Sequence, residues 1–125
     1  MFFDETKIFE AIEKISKSVV NINTLKMTPH RHGYAYHVVP TKGIGSGLIL
    51  NPEGHIITNA HVVKNAQNFD IFLTNGEKYE GKLIGTDSTT DIAVIKIKGA
   101  NFPSAELGDS DEIKVGQPVF ALGNP

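Results

Sequence analysis

Turn signals recur about every ten residues along this chain, and the segments between them are short and rich in apolar and β-branched residues. Asn51-Pro52-Glu53-Gly54 fits a type I turn, with proline second and glycine fourth. Asn75-Gly76, between residues 69–74 and 77–84, is the strongest short hairpin signal a sequence can carry. Residues 43–50 form a strand that opens with Gly43-Ile44-Gly45-Ser46-Gly47, where missing side chains permit a sharp bend or a close backbone approach. Residues 55–58, 91–97 and 119–122 read as further strands, and 91–97 is apolar enough to suggest burial on both faces. Six or so short strands with this punctuation describe an all-β chain folded as an antiparallel barrel or sandwich.

Only the start departs from that pattern. Ile8, Ile12, Ile15 and Val19 recur at three- and four-residue spacing behind Asp4, an N-cap residue type, which predicts a short N-terminal helix. From Val19 the period changes to two, with Val20 and Ile22 alternating against Asn21 and Asn23. Residues 27–42 contain Pro29, Gly33 and Pro40 among histidines and tyrosines and read as a long exposed loop. Residues 108–116 are polar. A length of 125 residues supports one domain, residues 1–125, able to bury roughly two thirds of its unfolded surface.

Composition narrows the partners. The formal net charge is -2 and Arg31 is the single arginine, so neither phosphate tracking nor guanine readout is supported and nucleic acid is not an expected partner. No apolar run approaches the ~20 residues that span a bilayer. Met1-Phe2-Phe3-Asp4-Glu5 lacks the basic start and apolar stretch of a signal peptide, so the chain as written reads as cytoplasmic. An extracytoplasmic location stays open if a signal has been removed, and the absence of cysteine suits either compartment.

Two motifs carry chemistry. Thr58-Asn59-Ala60-His61-Val62-Val63 puts a histidine where a strand ends and the chain turns, and Thr90-Asp91-Ile92-Ala93-Val94-Ile95 puts an aspartate at the head of an apolar strand. An imidazole acting as general base needs a carboxylate to fix its tautomer and a hydroxyl to deprotonate. His61 and Asp91 are therefore the candidate catalytic residues, with Asp91 expected to be buried against a partner such as an imidazole. Asp91 could instead cap the turn at 86–90, as Asp87 is expected to do.

Gly45-Ser46-Gly47-Leu48-Ile49, the run from Asn51 through His61 to Val63, Thr90-Asp91-Ile92-Ala93-Val94-Ile95-Lys96-Ile97, Leu107-Gly108-Asp109-Ser110 and Ala121-Leu122-Gly123-Asn124-Pro125 occur in this order. Together they resemble the first half of the protease domain of HtrA/DegP-type, trypsin-like serine proteases. The resemblance implies a chymotrypsin-like fold of two six-stranded antiparallel barrels, of which this chain is the first, with His61 as general base and Asp91 as its orienting carboxylate. It also implies a second barrel whose Gly-Asn-Ser-Gly-Gly block supplies the nucleophile and oxyanion hole, and PDZ domains that bind peptide C-termini. Neither is among these 125 residues, so the chain alone is expected to be inactive. For the parent protein the resemblance implies unfolded or peptide substrates and trimers built through aromatic residues near the N-terminus, a role open to Phe2 and Phe3 alongside simple core contact; strand exchange is a further route to self-association. The competing reading is a non-catalytic binding or regulatory barrel.

Ser46 lies between glycines but does not fit a nucleophile elbow, which needs glycine two residues before and two after; Ile44 and Leu48 occupy those places. It reads as structural. His30, His32 and His37 could offer ligands to zinc, yet in a loop with no carboxylate or thiol nearby they read as solvated, and no metal or cofactor is expected.

Overall fold

The computed structural model describes residues 4–124, and for residues 26–28 and 67 the backbone only. The expected packing of Phe2 and Phe3 lies outside the described residues. A helix α1 (Glu5–Ser16) precedes six strands: β1 (Val19–His32), β2 (Ala35–Ile49), β3 (His55–Thr58), β4 (Ala66–Phe72), β5 (Lys78–Asp87) and β6 (Ile92–Ile97). A one-turn helix α2 (Ala60–Val63) joins β3 to β4, and a 3₁₀ turn spans Ser110–Glu112. The strands close as a barrel in the order β1-β2-β3-β6-β5-β4, every neighbouring pair antiparallel and β4 pairing back onto β1.

Alternation decides what fills the barrel. Val20 and Ile22 of β1, Ile56 of β3, Phe69 and Ile71 of β4, and Ile95 and Ile97 of β6 are fully buried, and each such side chain contributes roughly 1.5–3 kcal/mol by leaving water. Phe102 closes one end, its ring edge-on to Tyr79 at 5.1 Å while its backbone N–H donates to the Pro52 carbonyl. At the other end of the chain, Asp4 caps α1 by accepting hydrogen bonds from the Thr6 and Lys7 amides. The helix stripe Ile8, Ile12, Ile15 is only half-buried.

Glycines bring two elements close. A Cβ on Gly45 would stand 2.6 Å from Cγ1 of Val62, and one on Gly47 would stand 2.7 Å from Cγ2 of Ile56. The Gly-rich start of the strand at 43–50 is thus the seat for α2 and for β3. The Pro52 turn closes as expected, with the Gly54 amide donating to the Asn51 carbonyl at 3.1 Å. In the Asn75-Gly76 hairpin, the Gly76 amide donates to the Leu73 carbonyl and only Gly76 takes a positive φ, +89°. That is a type I turn followed by a left-handed glycine, a standard way to close a three-residue loop.

Three expectations are corrected. Residues 27–42 are not a loop: β1 and β2 pair continuously from Val19↔Leu48 to His32↔Ala35, so this segment is a two-stranded arm. Pairing with β4 ends at Lys26↔Ala66, and beyond it no third strand joins the arm among the described residues. Gly33, at φ +63°, is the first central residue of the two-residue turn, as a type II′ hairpin requires. Counting back from that turn, Pro29↔Val38 and Met27↔Pro40 fall on pairs whose N–H groups point away from the partner strand, so neither proline costs a ladder bond. Second, residues 119–122 form no strand; the barrel is complete without them. Third, β6 is buried on one face: Ala93, Ile95 and Ile97 point inward while Ile92 is exposed.

Candidate active site

Thr58 ends β3 by turning its hydroxyl into the barrel, where Oγ1 donates to the Ser46 carbonyl at 2.7 Å. The next residues wind into α2, with Ala60, Val62 and Val63 buried and Val62 filling the space left by Gly45. On so short a helix, burying both neighbours forces His61 outward, and its side chain is 70 % exposed. The packing fixes the histidine by its backbone and leaves its ring in the open.

Asp91 reaches the same point from across the barrel rim. It stands just before β6 in the left-handed region, φ +57°, an uncommon conformation for a residue with a Cβ. That turn directs both its carbonyl and its carboxylate at residues 59–61. The carbonyl accepts from the Ala60 amide at 3.1 Å and from Asn59 Nδ2 at 3.2 Å. In the carboxylate, Oδ1 accepts from the His61 amide at 2.8 Å and Oδ2 lies 2.7 Å from His61 Nδ1. The His61 backbone N–H first, and its ring second, hold the Asp91 carboxyl below its ordinary range. An ionised carboxylate at Nδ1 makes that nitrogen the donor, so the lone pair of a neutral ring sits on Nε2.

The structure therefore brings His61 and Asp91 into contact, beside a cleft bordered by Val63, Leu83, Thr86 and Ser88. It corrects one detail: the Asp91 side chain is 43 % exposed rather than buried, since its partners come from a surface helix and not from the core. Ser46 is elsewhere engaged. Its hydroxyl accepts from the Asn124 amide at 2.9 Å, and Asn21 Nδ2 donates to the Asn124 carbonyl, so the two clamp the segment at 121–124 against the barrel. Asp87 bonds the Thr89 amide in the turn before Asp91, the local role expected of it. His30, His32 and His37 lie on the arm.

Asn59 is the residue that sequence reasoning passed over. It occupies the N-cap position of α2 but makes no cap bond with its side chain, which goes to Asp91 instead. A cap-type residue before Ala-His-Val-Val carries no sign of that longer reach.

Comparison with known proteins follows the same residues. Residues 45–125 match the family model of the trypsin-like peptidase domain. The putative serine protease HhoB of Synechocystis sp. is 34% identical over 134 aligned positions, which cover 94% of this chain and 32% of that protein. A probable periplasmic serine endoprotease, DegP-like, of Pseudomonas savastanoi pv. phaseolicola is 47% identical over 85 residues, 68% of this chain and 18% of the relative. Among solved structures, a variant of the HtrA-type protease AlgW with a decapeptide superposes at TM-score 0.81 and 28% identity, over 86% of this chain and 37% of that one. AlgW with a tripeptide gives 0.74 and 32% over 86% and 32%. These 125 residues thus span no more than about a third of the length of either curated relative. A shared barrel alone would not define a lineage, but a family match over residues 45–125 together with 34% identity to a relative across 94% of the chain does: the chain belongs to the trypsin-like peptidases and is part of a protease domain of the HtrA/DegP type.

Proposed function

We propose that residues 1–125 are the N-terminal barrel of a serine endopeptidase in which His61 is the general base and Asp91 its orienting carboxylate. One observation carries this reading: Asp91 holds residue 61 with both carboxylate oxygens, one on the backbone amide and one on Nδ1. Such a grip fixes ring position and tautomer together, and it presents the Nε2 lone pair to a hydroxyl arriving from outside the barrel. His61 would take the proton of that hydroxyl as it attacks a peptide carbonyl, then return it to the leaving amine, while Asp91 stabilises the imidazolium between those steps. The attacking serine and the oxyanion donors belong to a C-terminal barrel outside these residues.

The names of the relatives support two further parts of the reading. The description of the DegP-like relative as a periplasmic endoprotease favours an extracytoplasmic site of action, and the peptide-bound AlgW structures favour peptides or unfolded protein as substrates of the parent enzyme. The parent is further expected to self-associate, as a trimer.

The test has two arms. The 125-residue chain should neither cleave unfolded casein nor react with a fluorophosphonate probe. With this barrel in place of its counterpart in the DegP-like relative, His61→Ala and Asp91→Asn should each lower kcat by about 10⁴-fold and leave KM within about twofold, since both act on the chemical step. Full activity in the His61→Ala chimera, or labelling of the isolated chain that depends on His61, would sink the assignment.

A further inference from the structure

The register of the β1–β2 arm changes what its histidines can do. Successive side chains of a strand point to opposite faces, so His30 and His32 share one face of the arm. His37 stands directly across from His30, on that same face, and His32 is its diagonal neighbour. Counting from the two-residue turn, His30 and His37 form a hydrogen-bonded pair, with Cα atoms about 5.5 Å apart. Arg31 is on the other face, its guanidinium over the Tyr36 ring at 5.8 Å, and so is kept away from the histidines. The turn at Gly33 fixes this register, because a slip of one residue would put His37 on the opposite face from His30.

We propose that His30, His32 and His37 form a binding site for one divalent cation of the zinc type. The donor set is His-X-His on one strand and His on the next: three imidazoles on one face of the arm. That is a nitrogen-only set suited to Zn²⁺, Ni²⁺ or Cu²⁺ and poorly suited to Mg²⁺ or Ca²⁺, which take oxygen ligands. All three side chains are exposed, and among the described residues no three donor side chains already surround a single point. The imidazoles must therefore rotate about χ1 and χ2 to reach metal–nitrogen distances of about 2.0–2.1 Å, a motion open to exposed rotamers. No barrel strand has to move. Binding would clip the two strands of the arm together near its tip.

The test is calorimetric titration of the metal-free, untagged chain with zinc chloride, with the imidazole C–H signals followed by NMR. One ion per chain is expected, with the signals of His30, His32 and His37 shifting and those of His55 and His61 unmoved. His30→Ala and His37→Ala should each weaken binding at least ~10-fold. The double variant Tyr36→His with His37→Tyr keeps the composition and moves the imidazole to the other face; it too should weaken binding at least ~10-fold. Calcium chloride should give no heat of binding. No zinc binding at concentrations up to ~1 mM, undiminished binding by the double variant, equal affinity for calcium, or shifts centred on His61 would each overturn the site. Barrel NMR signals that match the wild type in every variant show that a loss of binding is not a loss of fold.

Discussion

The same two strands behave in opposite ways along their length. In the barrel, β1 buries Val20 and Ile22 completely, and β2 is pressed so closely against its neighbours that glycine is required at positions 45 and 47. In the arm, the continuation of those strands exposes Tyr36 and Val38. Backbone pairing is unbroken across the boundary, so hydrogen bonding does not distinguish the halves. What changes at Lys26 is the loss of β4 as a third neighbour. An antiparallel ladder can run on without a core, but only the part that packs against other elements contributes burial energy, and an isolated two-stranded ribbon is marginal in water.

The sharpest way to break this comparison is to remove one side chain from each half. Phe69→Ala empties the centre of the barrel and should lower stability by about 3–5 kcal/mol, read from the denaturant midpoint. Val38→Ala on the arm should change it by less than about 0.5 kcal/mol. Comparable losses would mean that the arm is covered in solution.

A smaller effect separates close approach from mere exposure. Gly47→Ala forces a Cβ to within 3 Å of the Ile56 and Ile22 side chains and should cost about 1–3 kcal/mol. Gly85→Ala, at a β5 position where an added Cβ meets nothing within 4 Å, should fall within about 0.5 kcal/mol of wild type. Thermal melts of the two variants decide whether glycine in this barrel serves packing or only flexibility.

The barrel was legible in the sequence because its strands are separated by turn residues with specific geometry, and because Val20, Ile22 and Ile56 alternate as half-buried strands must. The arm was not. Pro29 and Pro40 read as strand breakers, and only the register shows that their missing N–H groups face outward on a ribbon with two open edges. The supposed strand at 119–122 erred the other way: an apolar run implies a strand only when an edge is available to pair with, and β4 already closes the barrel onto β1. For the candidate site, the motifs around His61 and Asp91 were enough to expect the two side chains to meet, as they do. The left-handed backbone of Asp91 and the side-chain bond from Asn59 were invisible, since both depend on how the turn before β6 meets α2 across the rim.

The site combines the two regimes, being exposed like the arm yet fixed by neighbours like the core, and pH tests that combination with the smallest effect of the three. The Asp91 carboxyl is held below its ordinary range by the His61 amide and then by the His61 ring. A group whose pKa is depressed on folding contributes stability that is fully present above its unfolded pKa, near ~4 for a carboxylate, and is lost as pH falls through the depressed folded value. Asp91→Asn cannot ionise, so it lacks this contribution at every pH. The gap in melting temperature between wild type and Asp91→Asn should therefore be widest at neutral pH and should narrow as the solution is acidified below ~4. Water around a 43 % exposed side chain screens the interaction, so the gap at neutral pH should stay below that caused by Gly47→Ala. Asn59→Ala, which removes one of two donors to the Asp91 carbonyl, should narrow the same gap part of the way if the left-handed turn is what aims the carboxylate. A gap that stays constant from neutral to acid pH would show that Asp91 holds residue 61 by shape alone, with its charge contributing nothing to the folded state.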